Sequence, residues 1–304
     1  MARLGVIDLG SNSIRLVIYE TKGDRRATKP FRTLVDEKKI AGLSSYMEDG
    51  ALSPAGIEKA IDVLNGLLRL AKNLTCDQVG VFATAALRNC SNSKAATTTI
   101  EKAIGQKVHV LTAEQEAHLG FVGASIGCDL KTATLIDIGG GSAELSALRP
   151  RSDHAGISLP AGCVTFYAQY VGTVIPTLDE CRTMRHAADA LLDSADDLEP
   201  YRTKHAFGIG GSMRAISKML AQVAQSSEKP TTISRDDMDG LFDLFALDPS
   251  AFAHALVKAA PDRVHSFVPG MVIARTILER LGASDVSLCK YGIREGYLME
   301  LIRS

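Results

Sequence analysis

The sequence predicts an α/β protein made of two related domains, and three observations carry that expectation. First, an eleven-residue motif occurs twice: Val6–Leu16 aligns without gaps on Leu135–Leu145, 129 positions later. Ile7/Ile136, Asp8/Asp137, Gly10/Gly139, Ser13/Ser142 and Leu16/Leu145 are identical pairs. Second, apolar strand-like runs alternate with helical periodicities along the chain, the pattern of α/β architecture. Third, 304 residues at 46% hydrophobic composition suffice for two separate cores. The expected domains are 1–126 and 127–304, divided within Ser125–Lys131 just before the motif repeats. The final helix is a candidate to pack back on the first domain.

The first half opens with hairpin strands at Arg3–Asp8 and Ile14–Glu20. A polar basic stretch follows, with Lys22, Arg25, Arg26, Lys29 and Arg32. Ser53-Pro54 starts a helix, pairing a capping hydroxyl with proline at the first helical position. Ile57, Ala60, Ile61, Leu64 and Leu68 form its predicted buried stripe. Val79–Ala83 reads as a buried strand, Ser93 opens a helix, and Val108–Leu111 reads as a strand. Thr112-Ala-Glu-Gln115 is a capping-box pattern for a helix running toward Ala124. The second half predicts strands at Ala133–Asp137, Ala143–Leu148 and His154–Leu159, then helices from Ala161 and Thr177. A strand at His205–Ile209 leads through Gly210-Gly211-Ser212 into a helix. The remainder is helical except for a strand at Asp285–Leu288, and Arg235–Asp239 reads as a charged helix start. The last helix covers Arg294–Ile302.

Composition narrows the class. A formal charge of −1, with 34 basic against 35 acidic residues, argues against a broad nucleic-acid footprint. The six cysteines are scattered without CxxC or paired histidine, so reduced thiols in a cytoplasmic protein are expected. A strand begins within a few residues of the N-terminus, which predicts no signal peptide. No apolar run is long enough to cross a bilayer, so no membrane partner is expected. A homodimer remains an option that the sequence leaves open.

The duplicated turns carry the chemistry. Glycine permits close approach of backbone to an anion, and Gly139, Gly140 and Gly141 provide three in succession. Ser11, Asn12, Ser13 and Ser142 add side-chain donors. Asp8 and Asp137 precede the turns and suit Mg²⁺ or its waters, with Glu144 on the returning strand as a further metal-side candidate. A third turn, Gly208–Met213, places Gly210 and Gly211 at a helix start, where an anion is favoured. It matches neither the GxxxxGK[ST] nor the GxGxxG pattern. Arg88 follows a buried strand, where its guanidinium could fork onto phosphate oxygens. Glu114 and Glu116 occupy the first turn of their helix. Acidic residues there favour the helix dipole, and one facing a ligand could also serve as general base. The pattern does not choose between them.

Taken together, these residues resemble the exopolyphosphatase and guanosine pentaphosphate phosphatase family, in its short two-domain form. The matching segments are Asp8–Ser13, Ala83–Arg88, Thr112–Ala117, Asp137–Glu144, Gly208–Ser212 and Tyr291–Gly296. They stand in family order across nearly the whole chain. The resemblance implies two ribonuclease-H-like domains of the actin-like ATPase superfamily, with the active site in the cleft between them. It implies Glu116 as catalytic base and Mg²⁺ at Asp137 and Glu144. It also implies phosphate contacts from Asn12, Arg88, Gly140, Gly141 and Ser142, with Asp8 as the first-hairpin acid. The implied reaction is attack of water on the terminal phosphoryl of inorganic polyphosphate, releasing orthophosphate.

Three departures stand out. Glu37–Leu43 lacks the usual Arg-Leu-Gly segment and offers Lys38 and Lys39 instead. His118 occupies an arginine position, and Cys289-Lys290 replaces a Ser-Asp-like pair. Alternative readings are a 5′-phosphohydrolase of guanosine pentaphosphate, an ATP-dependent kinase of the same superfamily, and a non-catalytic polyphosphate-binding regulator.

Overall fold

The computed structural model describes residues 2–21, 30–128, 130, 134–147, 156–195 and 197–303. The chain divides into two compact units, Met1–Gly127 with Tyr291–Ser304, and Cys128–Lys290. Residues 291–304 therefore belong with the first unit, so the second is shorter at its end than the sequence division suggested.

In the first unit, β1 (Arg3–Leu9), β2 (Ser13–Thr21) and β3 (Phe31–Ile40) form an antiparallel meander. The short pair β4 (Met47–Glu48) and β5 (Ala51–Leu52) precedes α1 (Pro54–Asn73). Then come β6 (Gln78–Ala83), α2 (Ala85–Arg88), α3 (Ser93–Ile104), β7 (His109–Val110) and α4 (Ala113–Ala124). The sheet order is β3-β2-β1-β6-β7, with β6 parallel to both neighbours.

Both faces of this sheet are covered, which explains the nearly continuous apolar runs of β1 and β2. Ile7, Leu9, Leu16 and Ile18 pack with Ala60 and Leu64 of α1 and Ala96 and Ile100 of α3. On the opposite face Val6, Val17 and Tyr19 pack with Leu119 of α4 and with Tyr297 and Leu298 of the C-terminal helix, Ile293–Arg303.

The expected stripe of α1 is met at the buried Ala60 and Leu64; Leu67 and Ala71 are buried as well, and Ile57, Ile61 and Leu68 pack half-buried against the same core. One expectation is corrected. Strand β3 falls in sequence read only as polar and basic. It is an edge strand facing water along most of its length, and charged residues suit that setting. Lys22, Arg25, Arg26 and Lys29 lie outside the described residues, as do Ala133, Leu148 and His154 at the expected strand ends.

The second unit repeats the plan. β8 (Thr134–Ile138), β9 (Ala143–Ala147) and β10 (Gly156–Leu159) form its meander. Helices α5 (Cys163–Tyr170) and α6 (Leu178–Asp193) follow, then β11 (His205–Ile209) and α7 (Gly210–Val223). The unit continues with β12 (Thr232–Ser234), α8 (Arg235–Leu247), α9 (Pro249–Ala259), α10 (Phe267–Leu281) and β13 (Asp285–Leu288). Its sheet order, β10-β9-β8-β11-β13-β12, opens with the same meander-plus-two-parallel-strands arrangement. This duplicated order is that of the ribonuclease-H-like fold named above.

The C-terminal helix meets α4 backbone to backbone. A Cβ at Gly123 would overlap the Gly292 carbonyl, and one at Gly296 would overlap the Leu119 carbonyl. Neither backbone group can retreat without moving its helix. Gly123→Ala and Gly296→Ala should each cost about 1–3 kcal/mol of stability, read as a lower urea midpoint. Unchanged midpoints in both variants would contradict the close contact.

Candidate active site

The two duplicated turns close identically. The N–H of Gly10 donates to the Ser13 carbonyl at 3.1 Å, and that of Gly139 to the Ser142 carbonyl at 2.9 Å. Beyond that bond, the turn carbonyls are held by neighbouring segments. In the first unit the Asn12 carbonyl accepts from Ala41 and Gly42, and the Ser11 carbonyl from Ser44. In the second, the start of α5 supplies the donors: Cys163 to the Gly139 carbonyl, and Val164 and Thr165 to that of Gly140. Among the described residues the N–H groups of Ser11, Asn12, Gly140, Gly141 and Ser142 have no backbone acceptor. Turns whose carbonyls are bound elsewhere and whose amides lack backbone acceptors suit an anion.

Gly162, which the sequence reading missed, makes the second turn possible. A Cβ there would overlap the Gly140 carbonyl group and the Gly141 carbonyl carbon. The signal was a glycine just before a helix, and only the fold shows what approaches it.

In the first unit, Glu116 lies in the first turn of α4, whose capping box at Thr112 and Gln115 is formed as expected. The structure separates the two glutamates. Glu114 is exposed, whereas Glu116 is buried and ion-paired with Arg88. Arg88 closes the short helix α2 after β6 and also donates to the Leu111 carbonyl at 3.4 Å. The postulated base and the postulated phosphate grip are thus in direct contact.

Asp8 sits next to the first turn at the end of β1, paired in register with Arg15. Its Oδ2 accepts from Arg294 of the C-terminal helix at 2.9 Å. Burial pushes the Asp8 carboxyl above its ordinary value, with Arg294 and Arg15 pulling the other way. The sequence reading offered Asp8 to Mg²⁺ and did not foresee a partner 286 residues away.

In the second unit Asp137 and Glu144 are cross-strand partners in the β8–β9 hairpin. The buried Glu144 accepts on Oε1 from Ser142 at 2.6 Å and Ser158 at 2.8 Å. The third turn meets this hairpin: Ser212 donates to the Ile138 carbonyl at 3.0 Å. Gly210 has φ +88°, and a Cβ there would overlap the Asp137 carboxylate. A Cβ at Gly211 would overlap the guanidinium of Arg263, so a cation that no motif signalled lies against this turn. The second unit therefore gathers Gly139–Ser142, Asp137, Glu144, Gly210 and Gly211. The first gathers Ser11, Asn12 and Ser13 beside Asp8, with Glu116 on Arg88.

Two adjacent carboxylates and a phosphate-suited turn fit Mg²⁺, which takes one or two carboxylates and completes its shell with waters and phosphate oxygens. Among the described residues no cluster of three or more His, Cys, Asp or Glu side chains could hold a metal. The ion would thus depend on those other ligands.

The chain belongs to the Ppx/GppA phosphatase family, whose profile matches residues 17–304. It is 25% identical to an exopolyphosphatase 1 of Mycobacterium tuberculosis, over 99% of this chain and 89% of the relative. It is 26% identical to a guanosine-5′-triphosphate,3′-diphosphate pyrophosphatase of Aeromonas hydrophila, over 97% of this chain but 58% of that longer protein. Among solved structures, an exopolyphosphatase from Cytophaga hutchinsonii superposes with TM-score 0.82 at 22% identity, covering 99% of this chain and 98% of that one. A Ppx/GppA family member from Aquifex aeolicus gives 0.77 at 23% identity, with 99% and 98% coverage. At these identities the superpositions speak to fold.

Gly162→Ala should displace the 139–142 turn and Gly210→Ala the Asp137 carboxylate. Each is expected to weaken binding of tripolyphosphate measured by calorimetry, with stability lowered by about 1–3 kcal/mol. Wild-type affinity in both variants would remove these glycines from the account.

Proposed function

We propose that this protein is a Mg²⁺-dependent exopolyphosphatase that releases orthophosphate from the end of inorganic polyphosphate. The observation carrying the proposal is the buried Glu116–Arg88 pair in a chain of this phosphatase family. A phosphate end arriving at Arg88 competes with Glu116 for the guanidinium. As Arg88 turns to the phosphate oxygens, the Glu116 carboxylate becomes available to a water molecule. Glu116 takes the proton as the water oxygen attacks phosphorus, and the shortened chain departs with the bridging oxygen. The amides of Ser11, Asn12, Gly140, Gly141 and Ser142 would stabilise the charge on the phosphoryl oxygens. Mg²⁺ held by Asp137 and Glu144 would neutralise further phosphate charge.

Coverage favours polyphosphate over guanosine pentaphosphate. The exopolyphosphatase relative is matched over most of its length, whereas the pyrophosphatase relative extends well beyond the match. Six free cysteines suit the reducing cytoplasm. Among the described residues no helix is long and apolar enough to cross a membrane.

Glu116→Gln should cut orthophosphate release by about 10²–10⁴-fold while polyphosphate binding persists. Near-normal turnover would remove Glu116 from catalysis. The ratio of kcat/KM for polyphosphate to that for guanosine pentaphosphate decides the substrate, and a ratio below one would reverse the assignment.

A further inference from the structure

The hydrolytic reading leaves one buried charge pair of the first unit without a role. Arg294 donates to Asp8 Oδ2 at 2.9 Å, and the two side chains are only 18% and 17% exposed. The other oxygen of Asp8 faces the turn, since a Cβ on Gly10 would stand 3.9 Å from Oδ1. Arg294 is itself held on a fixed base. The next residue, Glu295, accepts from the Tyr19 hydroxyl at 2.7 Å and from the Gly292 N–H at 2.9 Å. The helix carrying both is set against α4, the helix of Glu116, by the Gly292–Gly123 and Gly296–Leu119 contacts. Phe31 packs edge-on to Tyr291 at 5.6 Å, and Phe82 lies 5.0 Å from Tyr297, fixing the same segment to the sheet.

We propose that Arg294 is a positioning residue for hydrolysis: by clamping Oδ2 of Asp8 it aims Oδ1 at the first turn and fixes that turn relative to Glu116. This inference rests on the reading of Asp8 and its turn as part of the phosphate site. A carboxylate beside bound phosphate is repelled by it unless a cation neutralises the carboxylate. Arg294 supplies that cation from the side away from Oδ1, so the turn can accept an anion without losing the acid next to it. A guanidinium serves better than an ammonium here, because its planar fork restricts the direction of approach.

The test compares Arg294→Gln, Arg294→Lys, Asp8→Asn, the Asp8→Asn/Arg294→Gln double variant and Tyr297→Phe. Each is assayed for kcat and KM with polyphosphate and for thermal stability. Tyr297 lies on the same helix and donates to or accepts from His109 at 2.7 Å, so its substitution reports loosening of the helix alone. Arg294→Gln should lower kcat by roughly 10²-fold, the scale of an ångström-level misplacement, with KM little changed. Arg294→Lys should recover part of that loss. Adding Arg294→Gln to Asp8→Asn should lower kcat no further, because the two residues act as one unit. A drop in melting temperature with kcat retained, as expected for Tyr297→Phe, would overturn the proposal, and so would additive losses in the double variant. Full activity in Asp8→Asn alone would overturn the phosphate-site reading beneath it, a result distinct from the failure of Arg294 alone.

Discussion

The structure depends on what happens to the carbonyl groups of two short turns. A turn of small residues presents N–H groups to an anion only if its carbonyls are bound elsewhere. Here each turn is backed by a different element: residues 41–44 in the first unit and the start of α5 in the second. The constraint propagates outward. It requires glycine at 162 so that α5 can reach the Gly140 carbonyl, and glycine at 210 so that the Asp137 carboxylate can lie against the third turn. The acids follow from the same hairpins, because Asp8 and Asp137 are the next-to-last residues of the strands from which the turns spring.

The two units share this device but differ in what surrounds it. In the second, carboxylates and hydroxyls dominate: Glu144 takes two serine hydroxyls and lies opposite Asp137. In the first, each acid is matched by arginine, Asp8 by Arg294 and Glu116 by Arg88. Buried ion pairs are weak evidence for stability, since desolvation offsets much of the Coulomb attraction. Their presence at Asp8 and Glu116 fits a role in holding these carboxylates aimed.

Much of this was legible in the sequence because it is local. The repeated hairpin, the capping box at Thr112, and the strand-to-helix step at Gly210 each lie within a dozen residues, and all form where expected. What escaped was non-local or disguised. The Asp8–Arg294 pair joins opposite ends of the chain, and Gly162 and Arg263 matter only through backbone that lies elsewhere in sequence. Strand β3 was hidden because an edge strand facing water carries charges in place of alternating apolar residues. The stripe of α1 is met at Ala60 and Leu64, but its fully buried line continues through Leu67 and Ala71, with Ile57, Ile61 and Leu68 packed half-buried at the edge of the same core.

The central claim is that a turn whose carbonyls are bound elsewhere takes an anion on its amides. It is tested most directly by recording amide chemical shifts of the isotopically labelled Glu116→Gln protein during titration with tripolyphosphate and Mg²⁺. The account predicts saturable shifts concentrated at Ser11, Asn12, Gly140, Gly141 and Ser142. Binding that leaves these amides unmoved would contradict it.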